Sequence, residues 1–176
     1  RGFVDSLRCE LIHEGSRVSV TMVQLPAVNT PQFDWARSHM PRMPRPVAPV
    51  FEPEDIAERI LESLGTPSRE VWIGNPTRAA ILGTMAAPGF ADRQAAKAWG
   101  GQMGEAPDPP GRPDNLFRPV SGRHATRGRF SDEAEAAPVA LSGATTRVAA
   151  AAAGIALVAG IAATAGAGMR GRARRR

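Results

Sequence analysis

The chain has 176 residues, among them 18 glycines, 16 prolines and no tyrosine, and a formal net charge of +5. That length allows one domain or a little more, and the single cysteine, Cys9, excludes an internal disulfide framework and fits a reducing compartment. The positive balance comes largely from Arg170, Arg172, Arg174, Arg175 and Arg176. No stacking aromatics are interleaved with them, so anionic lipid is a more economical partner than nucleic acid. In chain order, Phe3, Val4, Leu7, Leu11 and Ile12 make one apolar stripe of an amphipathic helix, with Asp5, Arg8 and Glu10 off it. Gly15 is placed to close that helix in a left-handed conformation. Val18 to Leu25 follows as a strand whose near-continuous apolar character suits a central position covered on both faces. Helix, tight Gly turn and strand together form half of a parallel crossover unit.

The run Gly2-Phe3-x-Asp5-Ser6-Leu7-Arg8-x-Glu10-Leu11, the turn at Gly15, Val18-Ser19-Val20-Thr21-x-Val23 and then Val28-Asn29-Thr30-Pro31 closely resembles the second half of the short-chain dehydrogenase/reductases. The resemblance implies an incomplete Rossmann-like α/β fragment, two parallel strands with flanking helices, and NAD or NADP as cofactor. In that family the helix containing Arg1 carries, further upstream, a catalytic Tyr-x-x-x-Lys. This chain lacks tyrosine and has only Lys97, far downstream, so no catalytic residue is assigned within it. The Gly-rich phosphate turn is missing as well. The chain is therefore read as the carboxy-terminal part of a longer reductase, inactive alone and poorly stable without the remaining sheet. The family's Pro-Gly-x-Val-x-Thr stands here as Leu25-Pro26-Ala27-Val28-Asn29-Thr30, with proline replacing the glycine. On that alignment the Val28 backbone and the Thr30 side chain face the cofactor, and Pro26 and Ala27 pack nearby. The alternative is a plain strand exit with a turn-forming Asn-Thr-Pro.

Between Thr30 and Glu52 the resemblance places a variable substrate loop. Gln32, Phe33 and Trp35 are its candidate substrate-facing residues, either as pocket walls or as packing over the sheet edge. Pro41, Pro44, Pro46 and Pro49 favour an extended, stiff connector. His39 lies far in sequence from His13 and His124, which gives no metal-ligand spacing, and no metal is expected. A second helix starts at Pro53, with Glu54 and Asp55 at its positive end, and stops at Gly65 and Pro67. Its stripe is Ile56, Ala57, Ile60, Leu61 and Leu64, and the acids serve the helix end rather than catalysis. Glu70 to Gly74 supplies the last sheet strand, and Thr77 to Ala87 a short helix. These features place the reductase part at residues 1–87.

Residues 88–147 read mostly as a disordered linker, helix-compatible over Ala91 to Trp99 and otherwise without periodicity. Leu116, Phe117 and Phe130 are its candidate surface pins. Val148 to Met169 carries no charge, and at ~1.5 Å per residue a helix of that length spans about 33 Å, enough for a hydrocarbon core of roughly 30 Å. It reads as a transmembrane helix followed by a basic tail, 170–176, although alanine and glycine dominate it. An alanine-rich low-complexity tail is the alternative. The composite expectation is a membrane-associated NAD(P)-dependent oxidoreductase acting on a small carbonyl or alcohol, its reductase part cytoplasmic, with subunits pairing through the first helix. A non-catalytic, membrane-tethered scaffold retaining the reductase fold is the competing expectation.

Overall fold

The computed structural model describes residues 1–66, 68–122, 124–156 and 159. Helix α1 runs Gly2–His13 and ends in a Schellman closure. The Ser16 N–H donates to Leu11 O (2.9 Å) and the Gly15 N–H to Ile12 O (3.1 Å), with Gly15 at φ 65°. Only part of the apolar stripe turns inward. Val4, Leu7 and Leu11 are half-buried, whereas Phe3 and Ile12 stand in solvent.

Strand β1 is Met22–Gln24 and β5 is Glu70–Ile73, and they pair in parallel with Val23 opposite Val71. The two expected strands therefore share one sheet, but their roles differ from the expectation. The sheet order is β1-β5-β8, with β8 Ala140–Ser142 antiparallel on the far side of β5. The central strand is β5, whose four residues are all buried; β1 is a half-buried edge strand. Val18 to Thr21 and Leu25 fall outside the strand because β5 lies alongside only Met22 to Gln24. At Pro26 the chain leaves this sheet, since proline offers no N–H to a ladder. It then enters β2, Ala27–Val28, in a second sheet of order β2-β4-β7. There β4 is Val50–Phe51 and β7 is Ala134–Glu135, and all pairings are parallel.

Helix α3 spans Pro53–Leu64 with proline in its first turn. Ile56 is buried and Ile60 half-buried, but Ala57, Leu61 and Leu64 are exposed, so its buried stripe is narrower than the sequence pattern. Phe51, Ile56, Val71 and Ile73 form the core, with Val23, Val28, Ile60 and Ala140 packed against it. Each such fully buried side chain contributes about 1.5–3 kcal/mol. The alternation of β5 sends Glu70 and Trp72 to the opposite face. There Glu70, only 6% exposed, accepts hydrogen bonds from Arg1 (2.5 Å), Arg147 (2.6 Å) and the Trp72 indole N–H (3.0 Å). The Arg147 guanidinium also lies 5.0 Å from the centre of the Trp72 ring.

The region expected as linker carries structure. Helices α4, Asn75–Ala86, and α5, Pro88–Lys97, follow each other with only Ala87 between them, and a 3-10 turn over Ala98–Gln102 leads into β6, Met103–Pro107. Strand β6 pairs antiparallel with β3, Arg42–Pro44, so the proline-rich track is an edge strand rather than a free connector. Of the three candidate pins, Phe130 is buried and Leu116 and Phe117 are exposed. Residues 143–156 form a further helix, α6. The expected apolar span begins inside it; residues 157, 158 and 160–169 of that span, and the basic tail 170–176, lie outside the described residues. Among the described residues no helix is long and apolar enough to cross a membrane.

Candidate functional site

The candidate site is built on the exit from β2. Ala27 pairs with Val50 and Val28 with Phe51, and the Asn29 N–H donates to Phe51 O at 2.8 Å. Bonds to a parallel neighbour alternate along a strand, so this register leaves the Val28 N–H on the open side of β2. The Val28 carbonyl bends back to accept the Thr30 N–H at 2.9 Å. The Val28 side chain packs on the core. Thr30 is half-buried, and among the described residues its hydroxyl has no hydrogen-bond partner. Pro26 lies beside Gly74, where a Cβ would stand 3.5 Å from the proline ring. Gly74, at φ 82°, turns β5 into α4 in a conformation that favours glycine. Pro26 thus lies just past the carboxyl end of the β1–β5 pair and Thr30 just past that of the β2–β4 pair, with Ala27 and Val28 forming β2 between them.

Helix α2, Gln32–Trp35, takes up the beginning of the substrate loop. Phe33 turns inward and meets Phe130 edge to face, centroids 5.8 Å apart. Trp35 turns outward beside His124, centroids 5.2 Å apart, and its indole N–H donates to Gln32 Oε1 at 3.0 Å. Phe33 is therefore a packing residue, whereas Trp35 borders an open recess of about 510 Å³. Gln32 is exposed and also accepts from Asn115 Nδ2 at 3.4 Å. His39 borders a separate, polar recess with Asp108 and Arg112. Among the described residues no three His, Cys, Asp or Glu side chains come together as a metal-holding group.

Asn29 went unassigned in the sequence reading and is the most constrained residue here. It is fully buried. Its Nδ2 donates to Glu52 Oε2 (3.1 Å) and Ser131 Oγ (3.0 Å), its Oδ1 accepts the Phe130 N–H (3.0 Å), and its carbonyl accepts the Gly128 N–H (3.1 Å). At Gly128 a Cβ would fall 2.6 Å from Thr30 O, so only glycine fits. Arg129 pairs with Asp34 and donates to Pro44 O at 3.0 Å, and its guanidinium stands 4.8 Å from the Phe130 ring centre. Arg-Gly-Arg-Phe has no periodicity to give it away. The small residue between two arginines beside an aromatic is the one local hint.

Electrostatically the site is matched rather than charged. Glu54 is held below the ordinary carboxylate range, first by its own backbone N–H at the start of α3 and further by Arg127 at 3.1 Å. Arg127 also lies 3.8 Å from Glu52. This is the behaviour of acids serving a helix end.

The chain is similar to the uncharacterized oxidoreductase YxnA of Bacillus subtilis (strain 168), 32% identical over 126 residues that make up 70% of this chain and 35% of the relative. It thus spans about a third of that protein's length. No family model and no solved structure matches it.

Proposed function

We propose that this chain forms the cofactor floor and substrate loop of an NAD(P)-dependent oxidoreductase of the short-chain dehydrogenase/reductase type, which transfers hydride between the nicotinamide and a carbonyl or alcohol. One observation carries the reading. A parallel β1–β5 pair and a parallel β2–β4 pair both end beside Pro26 to Thr30, where ligands bind in open α/β sheets. The resemblance to an oxidoreductase over most of the chain supports the same class.

The residues fit the group. Val28 offers a backbone N–H on the open side of β2, suited to a carboxamide oxygen, and the Thr30 hydroxyl is suited to meet the amide or the nearby phosphate. The bound cofactor supplies or accepts the hydride; these residues orient it. There is no tyrosine in the chain and its single lysine, Lys97, sits at the end of α5, so no proton donor is assigned within it. Exposed Phe3 and Ile12 support subunit pairing through α1. The apolar run from Val148 and the terminal arginines support attachment to a membrane whose anionic face they would meet.

The test uses the complete polypeptide that carries this chain, purified and supplied with NADH or NADPH and a series of aldehydes and ketones. Carbonyl-dependent oxidation of one reduced cofactor is expected. Cofactor binding without turnover would favour the scaffold, and the absence of both binding and turnover would refute the proposal.

A further inference from the structure

We infer that the segment 108–115 is a clamp which holds α2, and Trp35 with it, in place before any ligand arrives, and that Arg112 is the positioning residue at its centre. The inference rests on the proposed function only for treating α2 as the start of a substrate loop; the contacts that carry it are independent of that reading. Left to itself, α2 would not persist. It is one turn of four residues, Gln32–Trp35, none of them buried, and so short a helix does not hold itself in water. The Ala36 N–H donates to Gln32 O at 2.8 Å, whereas the carbonyls of Asp34, Trp35 and Ala36 lie at the helix end, where no further turn can pair them.

All three carbonyls are met from one place in the chain. Asp34 O and Ala36 O each accept from a nitrogen of the Arg112 guanidinium, the second at 2.8 Å and across 76 positions of sequence, and Trp35 O accepts the Asn115 N–H at 2.9 Å. Side chains repeat the join on both flanks. Arg37 pairs with Asp114 at 2.9 Å, and Asn115 Nδ2 donates to Gln32 Oε1 at 3.4 Å. The clamp thus closes the end of α2 as a cap would, but from a distant segment.

Arg112 is itself held in position. Its Nε donates to Asp108 Oδ1 at 2.8 Å, and the two side chains are only 13% and 12% exposed. Between them Pro109, Pro110 and Gly111 make a tight turn closed by the Arg112 N–H on Pro109 O at 3.3 Å. With proline second, glycine third and Gly111 at φ 74°, this is the pattern of a type II turn. A planar fork that reaches three acceptors in fixed directions suits arginine, and the single nitrogen of lysine cannot span them. A loop ordered in this way presents a preformed wall, so a ligand meeting Trp35 has no ordering of α2 to drive.

The test is hydrogen exchange of the complete polypeptide, read at single residues over 32–37, without nucleotide and with saturating NADH or NADPH. In wild type the Asp34 and Ala36 amides are expected to exchange about a hundredfold more slowly than in an unstructured chain, and to change by less than about twofold when nucleotide is added. Arg112→Ala should speed both about tenfold while the β5 amides keep their rates, and Arg112→Lys, which keeps the charge and serves if the alanine variant does not fold, should do the same. Wild-type amides that exchange at the free-chain rate until nucleotide slows them, or protection that survives in Arg112→Lys, would overturn the inference. Failure of both nucleotides to bind would sink the reductase reading alone, since the nucleotide-free rates still decide the clamp.

Discussion

Glu70 shows how one residue can join three parts of the chain. Its carboxylate sits at the start of the central strand and is gripped by Arg1 at the N-cap of α1, Arg147 from α6 and Trp72 from its own strand. Burial alone would raise its pKa. The hydrogen bonds from Trp72 and Arg1, with the charges of Arg147 and Arg1, outweigh that and hold it below the usual glutamate value. A carboxyl lowered on folding contributes stability above its unfolded value of about 4.3, and that contribution is lost as pH falls through the lower folded value. Denaturant titrations should therefore show stability falling below about pH 4, with Glu70→Gln flattening this limb. At neutral pH Glu70→Ala should cost about 2 kcal/mol, because the indole N–H and two guanidinium groups lose their acceptor together. A loss near zero would show that solvent replaces the carboxylate freely.

At the scale of elements, closures and junctions decide which pieces hold their place. Helix α1 is stopped by Gly15 in a left-handed conformation, so Gly15→Ala should cost about 1 kcal/mol in the midpoint of chemical unfolding. Gly143, at the junction of β8 and α6, would place a Cβ 2.9 Å from Trp72 Nε1, so Gly143→Ala should cost about 1–3 kcal/mol by the same measurement. If Gly143→Ala were neutral, the wedging of α6 against Trp72 would be refuted. The helix punctuation was legible in the sequence because its causes are local. Pro53 starts α3 and Gly15 ends α1 through the conformations of those residues themselves. The reach of Val18 to Leu25 as a strand was not legible, because a strand extends only as far as its partner runs beside it. The narrow buried stripe of α3 has a similar origin, since the small sheet beneath it covers Ile56 and not Leu61 or Leu64.

For the whole molecule, β5 is the organising strand. It has a neighbour on each edge, the core cluster on one face and the Glu70–Trp72 network on the other. Its amides should exchange with solvent most slowly, near the global unfolding free energy, while Val18 to Thr21 and the largely exposed helices α4 and α5 exchange early. Hydrogen exchange read by mass spectrometry would contradict this if α4 and α5 were the slowest segments. The candidate site divides along the same line of legibility. Pro26 to Thr30 could be marked from a contiguous motif, whereas the partnership of Asn29 with Gly128, Phe130 and Ser131 joins residues about a hundred positions apart and leaves no periodic trace. What looked like a linker is held by side-chain amide and ring contacts, which composition does not reveal.

The central claim is that Val28 and Thr30 lie under a nicotinamide cofactor, and calorimetric titration of the complete polypeptide with NADH and NADPH tests it most directly. One of the two should bind, with Thr30→Val weakening it about tenfold through loss of one hydrogen bond. Binding of neither cofactor, or binding that Thr30→Val leaves unchanged, would contradict the account.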